Sequence, residues 1–331
     1  MKSWWLRDAP EGALLEMRET PMPMPGKGEL RIRVRAASLN RGEFLRSPSY
    51  ASSGEWRPAG ADCAGEVDAL GQGVRNWRVG QRVMGAARGA YSEFALIDQR
   101  LASPAPELLS WEEAAGVPIV FQVAHDMLWQ QGSLERGEWL LVTGVSSGVG
   151  VACLQAAQVM GARVIGTSRS KAKLERLKPL GLALGIETDG TRMAEAVLAA
   201  TGGEGVDLVV NTVGGSVFGE CIACMAFNAR LATVGYLDRT YHADIDLNRV
   251  HARRLHIFGV SARYRPIEER AESLKRFRRE LLPALGDGRI RPFVDAVFPF
   301  DRLAEARRRM ESDEQLGKIV ISTAGTPSPS L

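Results

Sequence analysis

The sequence predicts an α/β fold in two parts, a doubly wound parallel sheet and a compact antiparallel β-barrel. Three observations carry this expectation. From Trp111 onward, helical and strand patterns alternate, as in a parallel sheet with helices on both faces. Ahead of Trp111 the strand signals are short and broken by glycine, which suits an antiparallel barrel. Between the two, at Leu140 to Gly150, an apolar strand ends in an abrupt glycine-rich turn that opens a helix.

The segment Glu29 to Ala36 alternates Leu30, Ile32 and Val34 with Arg31, Arg33 and Arg35, a half-buried strand. Short strands follow at 66–70, 81–84 and 91–97, separated by Gly71-Gln72-Gly73 and by the glycines of 85–89. Helices are expected near Trp111 to Ala115 and from Ile119 to Gln131. Strands are expected at 139–143, 162–167, 207–211, 230–234 and 255–260, with helical stretches between most of them. After Arg265 come a long amphipathic helix to Leu285, a strand over Val294 to Phe298, a helix from Arg302 to Met310 and a strand at Lys318 to Ile321. These last elements read as a return to the first domain. Thr323 to Leu331, with two prolines among small polar residues, reads as a loose tail.

The turn Gly144-Val145-Ser146-Ser147-Gly148-Val149-Gly150 aims backbone N–H groups and the positive end of a helix at one point, which suits a pyrophosphate. Without Cβ atoms, Gly148 and Gly150 let a phosphate approach the backbone and let the helix pack closely on the strand. The spacing departs from G-x-G-x-x-G, and a tight turn that binds nothing also fits this stretch taken alone. The next strand runs into Ser168-Arg169-Ser170-Lys171-Ala172-Lys173. A sheet built for NAD usually places Asp or Glu here, on the ribose 2′-hydroxyl. Hydroxyls and three cations stand there instead, and Ser168, Arg169 and Lys173 suit an adenosine 2′-phosphate. Cations are unfavourable at a helix N-terminus, which weighs against Arg169 and Lys171 serving solubility alone. NADPH is the cofactor expected.

With 331 residues, 45% hydrophobic and 24% charged, the composition is that of a soluble globular chain long enough for two cores. A net charge of +3, with no basic tract interleaved with aromatics, argues against nucleic acid. The densest cation run, Lys275-Arg276-Phe277-Arg278-Arg279, follows Glu268, Glu269 and Glu272 and suits a solvated helix face. Arg7, Asp8 and Pro10 interrupt the first apolar residues and no apolar run spans a bilayer, so neither a secretory signal nor a membrane partner is expected. Cys63, Cys153, Cys221 and Cys224 are scattered, which favours a cytoplasmic location. Cys221 and Cys224 form a C-x-x-C that lacks the second pair or histidine of a zinc site. A redox pair and two small helix-packing residues both fit it.

Strings spread over nearly the whole chain resemble the medium-chain dehydrogenase/reductase superfamily. They are Gly60-Ala61-Asp62-Cys63-Ala64-Gly65-Glu66-Val67, Val79-Gly80-Gln81-Arg82-Val83-Met84, Thr143 to Gly150, Gly235-Tyr236 and Gly317-Lys318-Ile319-Val320. Ser38-Leu39-Asn40-Arg41 and the Ser-Ser-Gly-Val-Gly turn resemble its zinc-free NADPH:quinone oxidoreductase branch. The resemblance implies a GroES-like β-barrel catalytic domain over 1–117 and 262–331, and a Rossmann NADP(H)-binding domain over 118–261. It also implies a homodimer, for which Leu255 to Val260 offers an apolar sheet edge.

Zinc-dependent members of that superfamily take ligands from a Cys shortly after the strand near Ala36, from a His-Glu pair in the glycine motif, and from a later Cys. Asn40, Ala61 with Asp62, and Val120 to Val123 occupy those regions here, without the Cys/His set of a tetrahedral site. The four-cysteine structural lobe expected between Met84 and Tyr91 is missing from the sequence as well. No metal is expected. Alcohol oxidation then loses its Lewis acid. Quinones and α,β-unsaturated carbonyls, by contrast, accept hydride with charge delocalised onto oxygen.

In the zinc-free branch a Tyr in the loop after the Asn motif lies near the nicotinamide, and Tyr50 matches it. In related enoyl-thioester reductases that Tyr is a proposed proton donor or oxyanion partner, so Tyr50 either does this chemistry or only stacks on the cofactor. Asn40 either orients the substrate carbonyl or the ribose, or caps a local turn. Val123 stands where relatives often carry a Thr that bonds the carboxamide. By the same resemblance Val213, Gly235 and Tyr236 line the cofactor crevice at strand ends, while Asn211 suits either that crevice or a structural role. Arg263 either reaches a cofactor phosphate or lies at the surface. The function implied is NADPH-dependent, zinc-independent hydride transfer to a small electrophilic acceptor, a quinone or an activated alkene. Two alternatives stand beside it. One is an enoyl-thioester reductase, which calls for a basic channel, with Arg253-Arg254 and 275–279 as the cations on offer. The other is a non-catalytic NADPH-binding structural or sensor protein.

Overall fold

In the computed structural model, which describes residues 1–9, 12–44, 54–262 and 264–323, the chain divides into two units, 1–119 with 274–331 and 120–273. The first stretch of chain forms strands β1 (Lys2–Ala9), β2 (Gly12–Glu19), β3 (Glu29–Ser38), β4 (Arg57–Pro58), β5 (Asp62–Leu70), β6 (Arg82–Ala86), β7 (Phe94–Asp98) and β8 (Ala102–Pro104). The middle forms β9 (Trp139–Thr143), β10 (Arg163–Ser168), β11 (Leu182–Glu187), β12 (Val206–Asn211), β13 (Met225–Thr233) and β14 (His256–Gly259). The chain then adds β15 (Val294–Pro299) and β16 (Lys318–Ser322).

In the first unit the alternation of β3 does what its pattern predicts: Leu30, Ile32 and Val34 are buried, and their arginine neighbours are not. β3 lies inside a sheet of order β15-β16-β3-β5-β6-β8, and β7 also pairs with it. The returning strand β16 is buried throughout and pairs antiparallel with β3, Val320 opposite Ser38. That register delivers Lys318 to the end of β3, beside Asn40. A second sheet, β2-β1-β4, is not signalled by periodicity. Trp4 and Leu6 face the core, but Ser3 is buried between Lys2 and Trp4 and the alternation is lost.

In the second unit all pairings are parallel, in the order β11-β10-β9-β12-β13-β14. Leu140, Leu141 and Val142 of β9 are fully buried, because a central parallel strand is covered on both faces. β11 escapes the sequence reading, since Gly185 interrupts its run of Leu182, Leu184 and Ile186. The helix Pro118–His125 continues as a π-helical turn over Asp126–Gln131.

The single long helix expected after Arg265 is two, Ile267–Glu280 and Leu282–Gly286, with Pro283, which has no N–H to donate, at the start of the second. The division between units falls within the first of these helices. Residues 262–273 group with the parallel sheet, where Gln130 Nε2 donates to Ser273 Oγ (2.6 Å). Cys221 and Cys224 are free, buried thiols in the core of this unit. Burial pushes both pKa values up, that of Cys224 to about 12, which suppresses thiolate chemistry. No helix among the described residues is long and apolar enough to cross a membrane.

Candidate functional site

The glycine-rich turn follows β9. Gly144 takes φ +62°, and a Cβ there would lie 2.7 Å from Thr212 Oγ1. Val145 N donates to Thr167 O (2.9 Å) and Ser147 N to Gly144 O (3.0 Å), which ties the turn to the neighbouring strand. Ser147 caps the helix Gly148–Met160, its hydroxyl accepting from Gly150 N (3.0 Å). The first helical bond runs from Val151 N to Ser147 O, so the N–H groups of Gly148 and Val149 precede the ladder. A Cβ on Gly150 would stand 2.7 Å from Gly144 O and from Val145 C. The glycine therefore lets the helix start lie directly on the turn, and this contact holds the N–H groups at the strand end.

Beside this turn, β10 ends in the hydroxyl and cation cluster. Ser168 is buried, its Oγ 3.5 Å from Ser146 Oγ and accepting from Ser170 N (3.2 Å). Ser170 caps the helix Lys171–Leu177. Arg169 is exposed and Lys173 half-buried. Sequence reasoning missed Glu187, at the end of β11, whose carboxylate accepts from Lys171 N (3.3 Å). On the other side of β9, Asn211 is fully buried. Its Oδ1 accepts from Thr143 Oγ1, Val213 N and Gly214 N, and its Nδ2 donates to Gly214 O. It builds the turn that carries Val213. Gly235 packs on the Thr212 carbonyl, 2.7 Å from where its Cβ would be, and Tyr236 is 40% exposed with its ring 4.9 Å from Tyr241. The sheet order thus brings 146–150, 168–173, Val213 and 235–236 to the carboxyl ends of adjacent parallel strands, where ligands of open α/β sheets bind. Tyr50 and Arg263 lie outside the described residues.

In the first unit Asn40 sits in a polar cluster that the sequence does not announce. Its Nδ2 donates to Asp62 Oδ1 (3.0 Å) and Glu43 Oε1 (2.9 Å), and its Oδ1 accepts from Lys318 Nζ (2.7 Å). Two carboxyl groups on one side and an ammonium on the other fix which amide atom is which. Ser38 Oγ donates to Asp62 (2.8 Å), Lys318 Nζ to Leu39 O (2.9 Å), and Tyr91 OH to Glu43 Oε1 (3.2 Å). Glu43 also accepts from Asn40 N (3.2 Å), so Asn40 does cap the Arg41–Glu43 turn. These bonds bear on how Asn40 could meet a ligand. Both amide hydrogens are committed, and only a lone pair on Oδ1 remains for a ligand. Glu43 three residues after Asn40, Asp62 in a run of small residues and Lys318 inside an apolar strand were the available signals.

Burial and the nearby Asp62 push the Glu43 carboxyl up to about 8. Burial likewise raises Asp62, against the Lys318 charge, and lowers Lys318, against both acids. From the ordinary 4.5 to about 8, the folded chain keeps the Glu43 proton that the unfolded chain has lost. Stability therefore falls as pH rises through this window, by at most about 1.4 kcal/mol per unit from this group. Denaturant melts at several pH values should show a shallower fall for Glu43→Gln, and parallel curves would contradict the assignment.

Residues 26–107 match the family described as alcohol dehydrogenase GroES-like domain, and residues 148–279 the one described as zinc-binding dehydrogenase. The native structure of mycobacterial Rv1454c complexed with NADPH is 27% identical, covers 97% of this chain and 100% of its own, and superposes with a TM-score of 0.86. The chain belongs to the medium-chain dehydrogenase/reductase superfamily. Within it, the chain falls in the quinone oxidoreductase-like branch. Two further relatives are similar over most of the chain. Quinone oxidoreductase-like protein 2 homolog of Nematostella vectensis is 28% identical over 277 residues, 80% of this chain and 73% of its own. CurK enoyl reductase is 25% identical with a TM-score of 0.81, over 96% of this chain and 99% of its own. The chain also matches multidomain polyketide synthases, spanning only 12% of the length of one from Aureobasidium melanogenum. Among the described residues, no group of three or more His, Cys, Asp or Glu side chains is placed to hold a metal ion.

Proposed function

We propose that this chain transfers hydride from NADPH to an electrophilic carbon of a quinone or α,β-unsaturated carbonyl, without zinc. The observation that carries the reading is the adjacency, along one sheet edge, of the capped helix N-terminus and the Ser168, Arg169 and Lys173 cluster. Gly148 and Val149 N–H groups, with Ser146 and Ser147, hold the pyrophosphate, and Ser168, Arg169 and Lys173 hold the 2′-phosphate. Bound NADPH supplies the hydride. Its addition to the alkene carbon moves charge onto the carbonyl oxygen, and the enolate then takes a proton from Tyr50 or water. The amide oxygen of Asn40 accepts from a ligand hydroxyl. Against zinc, the Lys318 ammonium already holds the Asn40 oxygen, and a second cation there would be repelled.

The test is NADPH consumption, in the presence of a chelator, with a quinone, an enone and a crotonyl thioester. Turnover of none would leave a nucleotide-binding protein, and loss of turnover to chelator would restore a metal. A second reading, enoyl-thioester reduction, is favoured by the likeness to CurK enoyl reductase, and it requires the thioester to exceed the free enone in kcat/KM. Arg169→Ala and Lys173→Ala should each weaken NADPH about ten- to a hundredfold while NADH holds. Equal losses for both nucleotides would refute the 2′-phosphate assignment. Tyr50→Phe should lower kcat for enones about a hundredfold with NADPH affinity unchanged and quinone turnover nearly so. Enone turnover within a few-fold of the parent would reduce Tyr50 to packing. The reading includes a homodimer through the edge strand β14, where Ile257 is 42% exposed. A monomer in light scattering at micromolar concentration would refute it.

A further inference from the structure

The π-helical turn Asp126–Gln131 makes side chains five apart into neighbours. Two such pairs form. Gln130 Nε2 lies 3.0 Å from His125 Nδ1, and Gln131 Nε2 donates to Asp126 Oδ2 (3.2 Å). In a regular α-helix residues five apart sit about 140° around the axis from one another and cannot pair this way. The second pair faces the chain that leaves β14. Gln131 Nε2 donates to Gly259 O (3.3 Å), and the buried Asp126 carboxylate lies 3.7 Å from Arg265 Nη1. The turn therefore holds both Gly259, at the end of β14, and Arg265.

Sheet order says what the end of β14 borders. The 2′-phosphate cluster follows β10 and the pyrophosphate turn follows β9, so the nicotinamide half must run the opposite way, over β12, β13 and β14. Strands lie about 4.8 Å apart, which puts the end of β14 roughly 14 Å from that of β9, on the scale of a nicotinamide riboside. We propose that Asp126 and Gln131 are positioning residues for the nicotinamide half of the cofactor, acting through Gly259 at the end of β14 and through Arg265. This rests on the NADPH reading above, and one titration series separates the two.

The experiment titrates the full chain with NADPH and with adenosine 2′,5′-bisphosphate, which lacks the nicotinamide half. Asp126→Asn, Arg265→Gln and the double variant are compared. The expected result is an NADPH Kd raised about fivefold by each single substitution and no further by the double one, with the bisphosphate Kd unchanged. A matching change in the fluorescence of bound NADPH would report the altered nicotinamide environment. Should Asp126→Asn fold poorly, Arg265→Gln alters only a partly exposed side chain and gives the same reading. An unchanged NADPH Kd, additive effects, or equal losses for both ligands would overturn the inference and leave the NADPH reading standing. Failure of the parent chain to bind either ligand would overturn both.

Discussion

Lys318→Met should lower the unfolding free energy by about 3–5 kcal/mol, the usual cost of removing one partner from a buried ionic cluster. Lys318 is 5% exposed and Asp62 fully buried, and the lysine supplies the positive charge that opposes burial on both acids. Methionine fills much of the same volume, so the loss reports charge and hydrogen bonds rather than a cavity. Without the ammonium, Asn40 Oδ1 and Leu39 O lose their donor, and Asp62 must take up a proton to stay buried. Urea melts measure the change. Adding Asp62→Asn to Lys318→Met should recover part of it, because the uncompensated charge is then gone. A single-variant loss under about 1 kcal/mol, or no recovery in the double variant, would show that water already screens the cluster.

Gly150→Val should weaken NADPH by about a hundredfold, equivalent to losing one or two charge-assisted hydrogen bonds. The Cβ position stands 2.7 Å from backbone atoms of Gly144 and Val145, which have no rotamer by which to yield. The helix start must lift from the turn, and the Gly148 and Val149 N–H groups move with it. Gly286→Ala serves as the control, since nothing lies within 4 Å of its added Cβ. Nucleotide titration with melting curves checks the result. Unchanged affinity would mean that the pyrophosphate is held elsewhere.

The parts of this molecule legible in its sequence are those written in local chemistry. The alternation of Leu30, Ile32 and Val34, the apolar run of β9 and the glycine turn after it each place their own signal within a few residues, and each forms the element it predicts. The hydroxyls and cations after β10 are equally local. Signals fail where neighbours contradict them. A buried serine hides β1, Gly185 hides β11, and Pro283 divides a helix whose amphipathic pattern runs on.

Only tertiary structure decided the rest. The cluster of Ser38, Asn40, Glu43, Asp62, Tyr91 and Lys318 exists because β3 pairs with β5 at Ala37 and Cys63 and with β16 at Ser38 and Val320. Asp62 among small residues and Lys318 in an apolar strand stand out singly, but nothing local says that they meet. Its geometry, in which the Asn40 amide hydrogens go to two carboxyl groups and its oxygen to Lys318, follows from strand register across 278 residues of separation. The π-helical turn is hidden for a different reason. Asp126 to Gln131 carry the composition of any helix end, and whether the backbone bonds run to the fourth or the fifth residue depends on what their side chains meet. Sequence by itself determined the superfamily, the parallel sheet and the glycine-rich turn that opens a helix after β9. Packing decided which polar groups are spent holding the fold and which are left for a ligand, because burial makes hydrogen bonds obligatory and only the folded neighbours can supply them.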